Sequence, residues 1–238
     1  IESVLTKRKL SAKDLSYFVP VLEHLDDSIL LHGEVTGTVS RLKLKECEFE
    51  YGENTLFRGS ISIDGLPDFK NAFVYVDIKE LISTNSDIVN IPLYPFSNKE
   101  KIVTPPWFNN LGKITFSGKY TGFSTDFVAY GKLKSRCGVV TSDVKFTKKD
   151  SNDLVIKGKV NAVNFNLERL LNKKELGKLS FNGDLDAGVK NKTFLIKMKG
   201  EVPYFDFHDY RYTNINVDGK LTPTRFDGDL KITDTNLV

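Results

Sequence analysis

The chain has 238 residues, 40% of them hydrophobic and 27% charged, a balance that supports a folded core and excludes a wholly disordered chain. Thirty-four basic against 31 acidic side chains leave a net charge of +3, too even to point to nucleic acid or an anionic surface as partner. No apolar run approaches the roughly 18 to 20 residues of a membrane-spanning helix. The chain starts at Ile1 without an initiator Met or a leader, as expected of a piece cut from a longer protein.

In chain order, Ser11 to Val19 has helical spacing, with Ser11 as cap, Asp14 in the first turn and Pro20 as the stop. Alternation of period two follows: Leu31, Gly33 and Val35 share one side of a strand, as do Phe57, Gly59, Ile61 and Ile63. Val76 to Ile82 breaks that rhythm with aliphatic residues at helical spacing and predicts a short capping helix after a strand. Ser83 to Asn110 then carries Pro92, Pro95, Pro105, Pro106 and the single tryptophan, Trp107, and is expected to be an irregular loop.

Strands resume at Ile114, where Ile114, Phe116, Gly118 and Tyr120 point one way and Thr115, Ser117 and Lys119 the other. Leu154, Ile156, Gly158 and Val160 obey the same rule. Phe165 to Leu171 repeats the helical spacing, with Asn166 available as a cap. Beyond it the alternation returns at Leu179, Phe181, Gly183 and Leu185, and again at Phe194, Ile196, Met198, Gly200 and Val202. It ends with Ile215, Val217, Gly219 and Leu221, then Phe226, Gly228, Leu230 and Ile232, with Asp227, Asp229 and Lys231 opposite.

In strand after strand a glycine sits on the apolar side, two residues from a bulky neighbour. Such a glycine sacrifices packing, so its recurrence means that the sheet bends there, or that another backbone or a ligand comes close. Either a long antiparallel sheet is creased into a trough with its apolar side inward, or the glycines mark the bulges and corners of a closed barrel or a two-sheet sandwich.

The chain also repeats itself. Leu111-Gly112-Lys113-Ile114-Thr115-Phe116-Ser117-Gly118 and Leu176-Gly177-Lys178-Leu179-Ser180-Phe181-Asn182-Gly183 agree at five of eight positions, each following one of the two short helical patterns. Units of this kind cannot bury their apolar side alone and are expected to stack into one continuous body. The expected organisation is a first β unit over residues 1–82 with an N-terminal and a capping helix, a proline-containing insertion over 83–110, and further β units over 111–238 continuing the same sheet.

Catalytic motifs are absent: the sequence has no phosphate loop, dinucleotide fingerprint, nucleophile elbow or His-Glu-x-x-His pair. Of three histidines only His208 has carboxylate company; Asp206 and His208 would share a strand face, but no third or fourth metal ligand stands near them. Cys47 and Cys137 lie ninety residues apart, which fits no zinc or redox motif and leaves open either a disulfide or two half-buried thiols. No enzyme, metal or cofactor is expected.

The stretches Ser28-Ile29-Leu30-Leu31-His32-Gly33-Glu34-Val35-Thr36-Gly37 and Gly59-Ser60-Ile61-Ser62-Ile63-Asp64-Gly65-Leu66-Pro67-Asp68, together with Val163 to Leu171 and Leu176 to Gly183, resemble the TamB and AsmA-like family of diderm bacteria, in a version like that of Bacteroidetes. The resemblance covers nearly the whole chain. It implies an elongated, curled antiparallel sheet, the β-taco or repeating β-groove, whose apolar groove shields phospholipid or other acyl chains during transport between inner and outer membranes. It also implies a place in the periplasm. An inner-membrane anchor and an outer-membrane β-barrel assembly partner are expected outside this segment, as in a translocation and assembly module.

On that reading the groove is lined by Phe57, Ile61, Ile114 and Phe116 in the first part of the chain. Leu154, Ile156, Phe181, Phe194, Met198, Ile215, Val217, Phe226 and Leu230 line it in the second. Sealing a dry core is the competing role for each. Two other functions are weighed against lipid transport. One is a periplasmic scaffold or chaperone that pairs its sheet edges with strands of outer-membrane β-barrel clients. The other is a carbohydrate-active β enzyme, which would need paired carboxylates beside stacked aromatics.

Overall fold

A computed structural model describes residues 2–11, 28–38, 40–66, 68, 71–91, 102–150, 153–190 and 193–235. The chain is mostly β, with antiparallel strands that pair with their neighbours in sequence and only short helices between them. It divides into two compact units, Ile1–Ser124 and Thr125–Val238.

The first unit carries β1 (Glu2–Ser11), β2 (Ser28–Thr38), β3 (Arg41–Tyr51), β4 (Thr55–Asp64), β5 (Phe73–Ser83) and β6 (Ile114–Phe123). A six-residue helix, α1 (Asn85–Asn90), and a 3-10 helix, Pro106–Leu111, lie between β5 and β6. The second unit carries β7 (Asp126–Ser135), β8 (Gly138–Asp150), β9 (Asp153–Asn166), α2 (Leu167–Leu171), β10 (Leu176–Lys190), β11 (Thr193–Phe207), β12 (Tyr210–Leu221) and β13 (Phe226–Ile232).

Among the described residues neither unit pairs its last strand with its first, and neither contains a second sheet. Within each unit this rules out the closed barrel and the two-sheet sandwich that the glycine pattern also allowed. The hairpins follow from local chemistry. His208 and Asp209 join β11 to β12 as a two-residue turn with φ of 47° and 63°, a left-handed pair whose twist matches that of the flanking strands. Bulges interrupt the ladders between Leu44 and Cys47, between Ile78 and Leu81, and between Leu179 and Phe181, each one bending its strand and increasing the local twist.

Several sequence expectations change here. The stretch Val76 to Ile82 is not a helix but part of β5, and the helix of that region starts later, at Asn85. The bulge explains the misreading: with one extra residue between them, Ile78 and Leu81 face the same side three positions apart, which imitates helical spacing. The insertion is not wholly irregular, since it holds α1 and the 3-10 helix; residues 92–101 lie outside the described residues. Ser11 closes β1, and the rest of the expected helix from Ser11 to Val19 also lies outside them. Phe165 to Leu171 resolves into the last two residues of β9 and α2, and the Asn166 side chain caps that helix by accepting from the Arg169 backbone N–H at 2.7 Å.

Candidate functional site

Register turns the alternation into a surface. In the first unit Phe49, Phe57, Leu81 and Phe116 lie in one row across β3 to β6, and Leu44, Ile61, Val76 and Tyr120 lie in another. Between them runs a row of small and aliphatic residues, Cys47, Gly59, Ile78 and Gly118. Ile114 is on the same strand side as Phe116, so the four expected groove residues of this unit share one face.

In the second unit the row Phe127, Phe146, Ile156, Ala187, Ile196, Leu221 and Phe226 crosses seven strands. The neighbouring row is Ala129, Val144, Gly158, Leu185, Met198, Gly219 and Gly228; the next contains Val160, Gly183, Gly200, Val217 and Leu230. Phe181, Val202 and Ile215 follow at the level of a bulge. Leu154 and Phe194 continue the face one step beyond Ile156 and Ile196. All nine groove residues expected in this unit therefore share one side of its sheet.

Burial grades across that side. Phe57, Ile114, Phe181, Ile215 and Val217 are buried; Ile61, Phe116, Leu154, Ile156, Phe194 and Met198 are half-buried; Phe226 and Leu230 are 38% and 57% exposed. Only eleven apolar residues are buried among the described ones, and six of them form two clusters, Cys47 with Phe57 in one unit and Phe181, Val202, Ile215 and Val217 in the other. A sheet covered by a second layer buries far more of its apolar side. Here the side chains cover one another and leave the rest to the surroundings.

Aromatic rings close over the glycines. A Cβ on Gly59 would fall 3.1 Å from the tip of Phe57, one on Gly183 2.9 Å from the tip of Phe181, and one on Gly219 2.6 Å from the tip of Phe226. Backbone is closer still at Gly59, where the added Cβ would stand 2.1 Å from the Asp77 carbonyl oxygen. Of the explanations open from sequence, close approach of another backbone is the one seen. The Phe-x-Gly pairing in successive strands is the local signal for this, and it was readable without the structure.

The opposite side is wet and ordered by charge. The row Asp143, Lys159, Asp184, Lys199 and Asp218 alternates in sign from β8 to β12, and the Lys199 ammonium donates to Asp218 at 2.7 Å. In the first unit Arg58 bridges Glu48 and Glu80, at 2.8 Å from each. A depression of ≈ 510 Å³ in the second unit is bordered both by such charges, among them Lys157, Asp184 and Lys199, and by Leu185, Met198 and Gly219 of the apolar row.

The remaining sequence candidates come apart. His208 lies in the turn rather than on a strand beside Asp206, whose carboxylate instead takes a two-pronged contact from Arg211 at 2.6 and 2.9 Å. The Arg211 guanidinium holds Asp206 below the usual carboxylate range. Among the described residues no three His, Cys, Asp or Glu side chains converge as a metal site. Cys47 and Cys137 are both buried and form no disulfide, and burial pushes the Cys47 thiol up to about 11. What sequence reasoning missed is β5, whose Val76, Ile78 and Leu81 complete the apolar side of the first unit. The alternation Val74, Val76, Ile78 was the signal for it.

Comparison with protein-family models, with curated proteins and with solved structures returns no match.

Proposed function

We propose that this chain is a lipid-transfer segment of a diderm cell envelope, in which the apolar side of the sheet shelters phospholipid acyl chains on their way between the inner and outer membranes. The observation that carries this reading is the apolar side itself: rows of Phe, Leu, Ile, Val and Met in register across seven strands of one unit, half-buried at the centre and exposed at β13, with no second layer over them among the described residues. Hydrocarbon gains about 0.8 kcal/mol for each methylene withdrawn from water. A uniform apolar floor lets a chain slide without losing that gain, so neither a catalyst nor a bound cofactor is needed. Head groups stay in water at the margin, and the charged outer side keeps the segment soluble in the periplasm.

The scaffold for outer-membrane β-barrel proteins is the second reading, and the specific feature in its favour is β13, an edge strand exposed along its whole length. The two are separated by photocrosslinking in the native envelope with a benzophenone amino acid placed at Met198 or Leu230. Lipid transfer predicts crosslinks to phospholipid from both positions, and native mass spectrometry of the purified chain should retain bound phospholipid. Crosslinks to protein strands alone, with no copurifying lipid, would replace the first reading by the second.

A further inference from the structure

We propose that the connection between β5 and β6 docks the first unit on the surface of a phospholipid bilayer, with Val103 and Trp107 entering the headgroup layer. Residues 81–91 and 102–112 hold a single ionisable side chain, Asp87, in a chain that is 27% charged. That one is buried, its carboxylate spent on the Asn54 backbone N–H and the Thr55 hydroxyl. Neutral polar groups are spent in the same way. The Asn85 side-chain N–H donates to the Asn109 side-chain oxygen at 2.5 Å, and the Asn85 oxygen accepts from the Thr104 hydroxyl at 2.8 Å, which ties the start of α1 to the 102–112 stretch at two points. The Phe108 backbone N–H donates to the Pro105 carbonyl at 2.9 Å and that of Gly112 to the Asn109 carbonyl at 3.1 Å. What this tip exposes most is apolar. Val103 is 89% exposed, more than any other large hydrophobic residue described, and Trp107 is 42% exposed with the Phe108 ring 6.0 Å away.

Composition selects the partner. Tryptophan has an apolar ring and one N–H donor, and bilayer interfaces collect it because hydrocarbon and water meet there. A protein partner is held by about one hydrogen bond per 100–200 Å² and by polar groups at the rim of the contact. A tip whose amides and hydroxyls are turned on one another offers few such bonds, and its one charge is buried. A zwitterionic lipid surface asks for neither, so affinity there follows the apolar area that enters it. The connection leaves β5 at Ser83 and enters β6 at Ile114, which are in register, so it stands at the end of the apolar side where Leu81 pairs with Phe116. Bilayer contact goes beyond the lipid-transfer reading and stands whether or not acyl chains lie on the sheet.

Trp107 is the single tryptophan of the chain, so intrinsic fluorescence reports on this tip alone. A myristoyl chain binds bilayers with a constant of about 10⁴ M⁻¹ and a tip of a few side chains binds more weakly, so titration with phosphatidylcholine vesicles runs to about 5 mM lipid. Trp107 emission should shift to the blue and be quenched by brominated phosphatidylcholine, and the whole chain should float with the vesicles, with little dependence on salt. Val103→Asp, at a position too exposed to matter for folding, should weaken binding about tenfold while the urea midpoint stays unchanged, and Val103→Leu should retain it. An emission spectrum that vesicles leave unchanged overturns the proposal, as does binding indifferent to Val103→Asp. Quenching without flotation would mean that single lipid molecules are taken up from the vesicle, which overturns docking and leaves lipid transfer standing. Flotation of a chain that retains no phospholipid in native mass spectrometry supports docking and counts against lipid transfer alone.

Discussion

The ring of Phe226 on β13 lies over the Cα of Gly219 on β12, so closely that a Cβ at position 219 would fall 2.6 Å from Cζ of the ring. A ring tip on an edge strand can swing aside, whereas a carbonyl in a central ladder cannot. Gly219→Ala is therefore expected to cost about 1 kcal/mol. Gly59→Ala, which drives a methyl to 2.1 Å from the Asp77 carbonyl oxygen, should cost about 3 kcal/mol. Urea denaturation of the two variants checks the order; equal losses would mean that the close approach at Gly59 does not constrain the sheet.

Asp87 ties α1 to the turn between β3 and β4. Its carboxylate, buried, accepts from the Asn54 backbone N–H at 2.8 Å and from the Thr55 hydroxyl at 2.9 Å, and Thr55 in turn lies 2.8 Å from the Ser83 hydroxyl at the end of β5. Asp87→Ala strands these donors in a dry place and is expected to lower stability by about 2 kcal/mol. Asp87→Asn, which keeps an acceptor, should lose less. Thermal melts of the two variants measure the difference.

The sheet was largely legible in the sequence because a period of two needs only local composition, and most of it survives as strands in register. Where it failed, the cause was a bulge: Ile78 and Leu81 reach the same side only because Lys79 and Glu80 are both accommodated between them, and single-strand periodicity cannot anticipate that. The thirteen residues expected to line a groove fall on one side of the sheet within each unit, since side follows from parity. How deeply each is buried was not legible. Phe181 and Leu230 carry the same alternation signal, yet one is 8% and the other 57% exposed, because burial depends on the number of strands alongside.

The Cys47 thiol donates to the Gly59 carbonyl at 3.2 Å in the packed centre of the first unit, and burial there pushes its pKa up to about 11. The folded chain thus holds this proton more tightly than the unfolded chain does. Its contribution to stability is full below the unfolded thiol pKa, about 8.5, and fades as pH rises from there towards about 11. Burial also raises Cys137, against the opposing pull of Arg136 and Arg169. At pH 8 neither thiol should react with a disulfide reagent until urea is added. Rapid labelling of the native chain would contradict the burial of both.

The graded burial of the apolar side decides which substitution tests the proposed lipid binding. A carboxylate at Phe181, buried against Val202, Ile215 and Val217, is left without a partner in the core and should unfold the second unit, so Phe181→Asp tests stability alone. Leu230 stands at the exposed margin of the same side, where an aspartate keeps its water. Leu230→Asp is accordingly expected to shift the urea midpoint little while interrupting the hydrocarbon floor, and phospholipid retained in native mass spectrometry should fall severalfold. Leu230→Met, which conserves the apolar volume, should retain it. If the aspartate variant stays folded and carries lipid at the wild-type level, the margin at β13 is no part of the acyl-chain path.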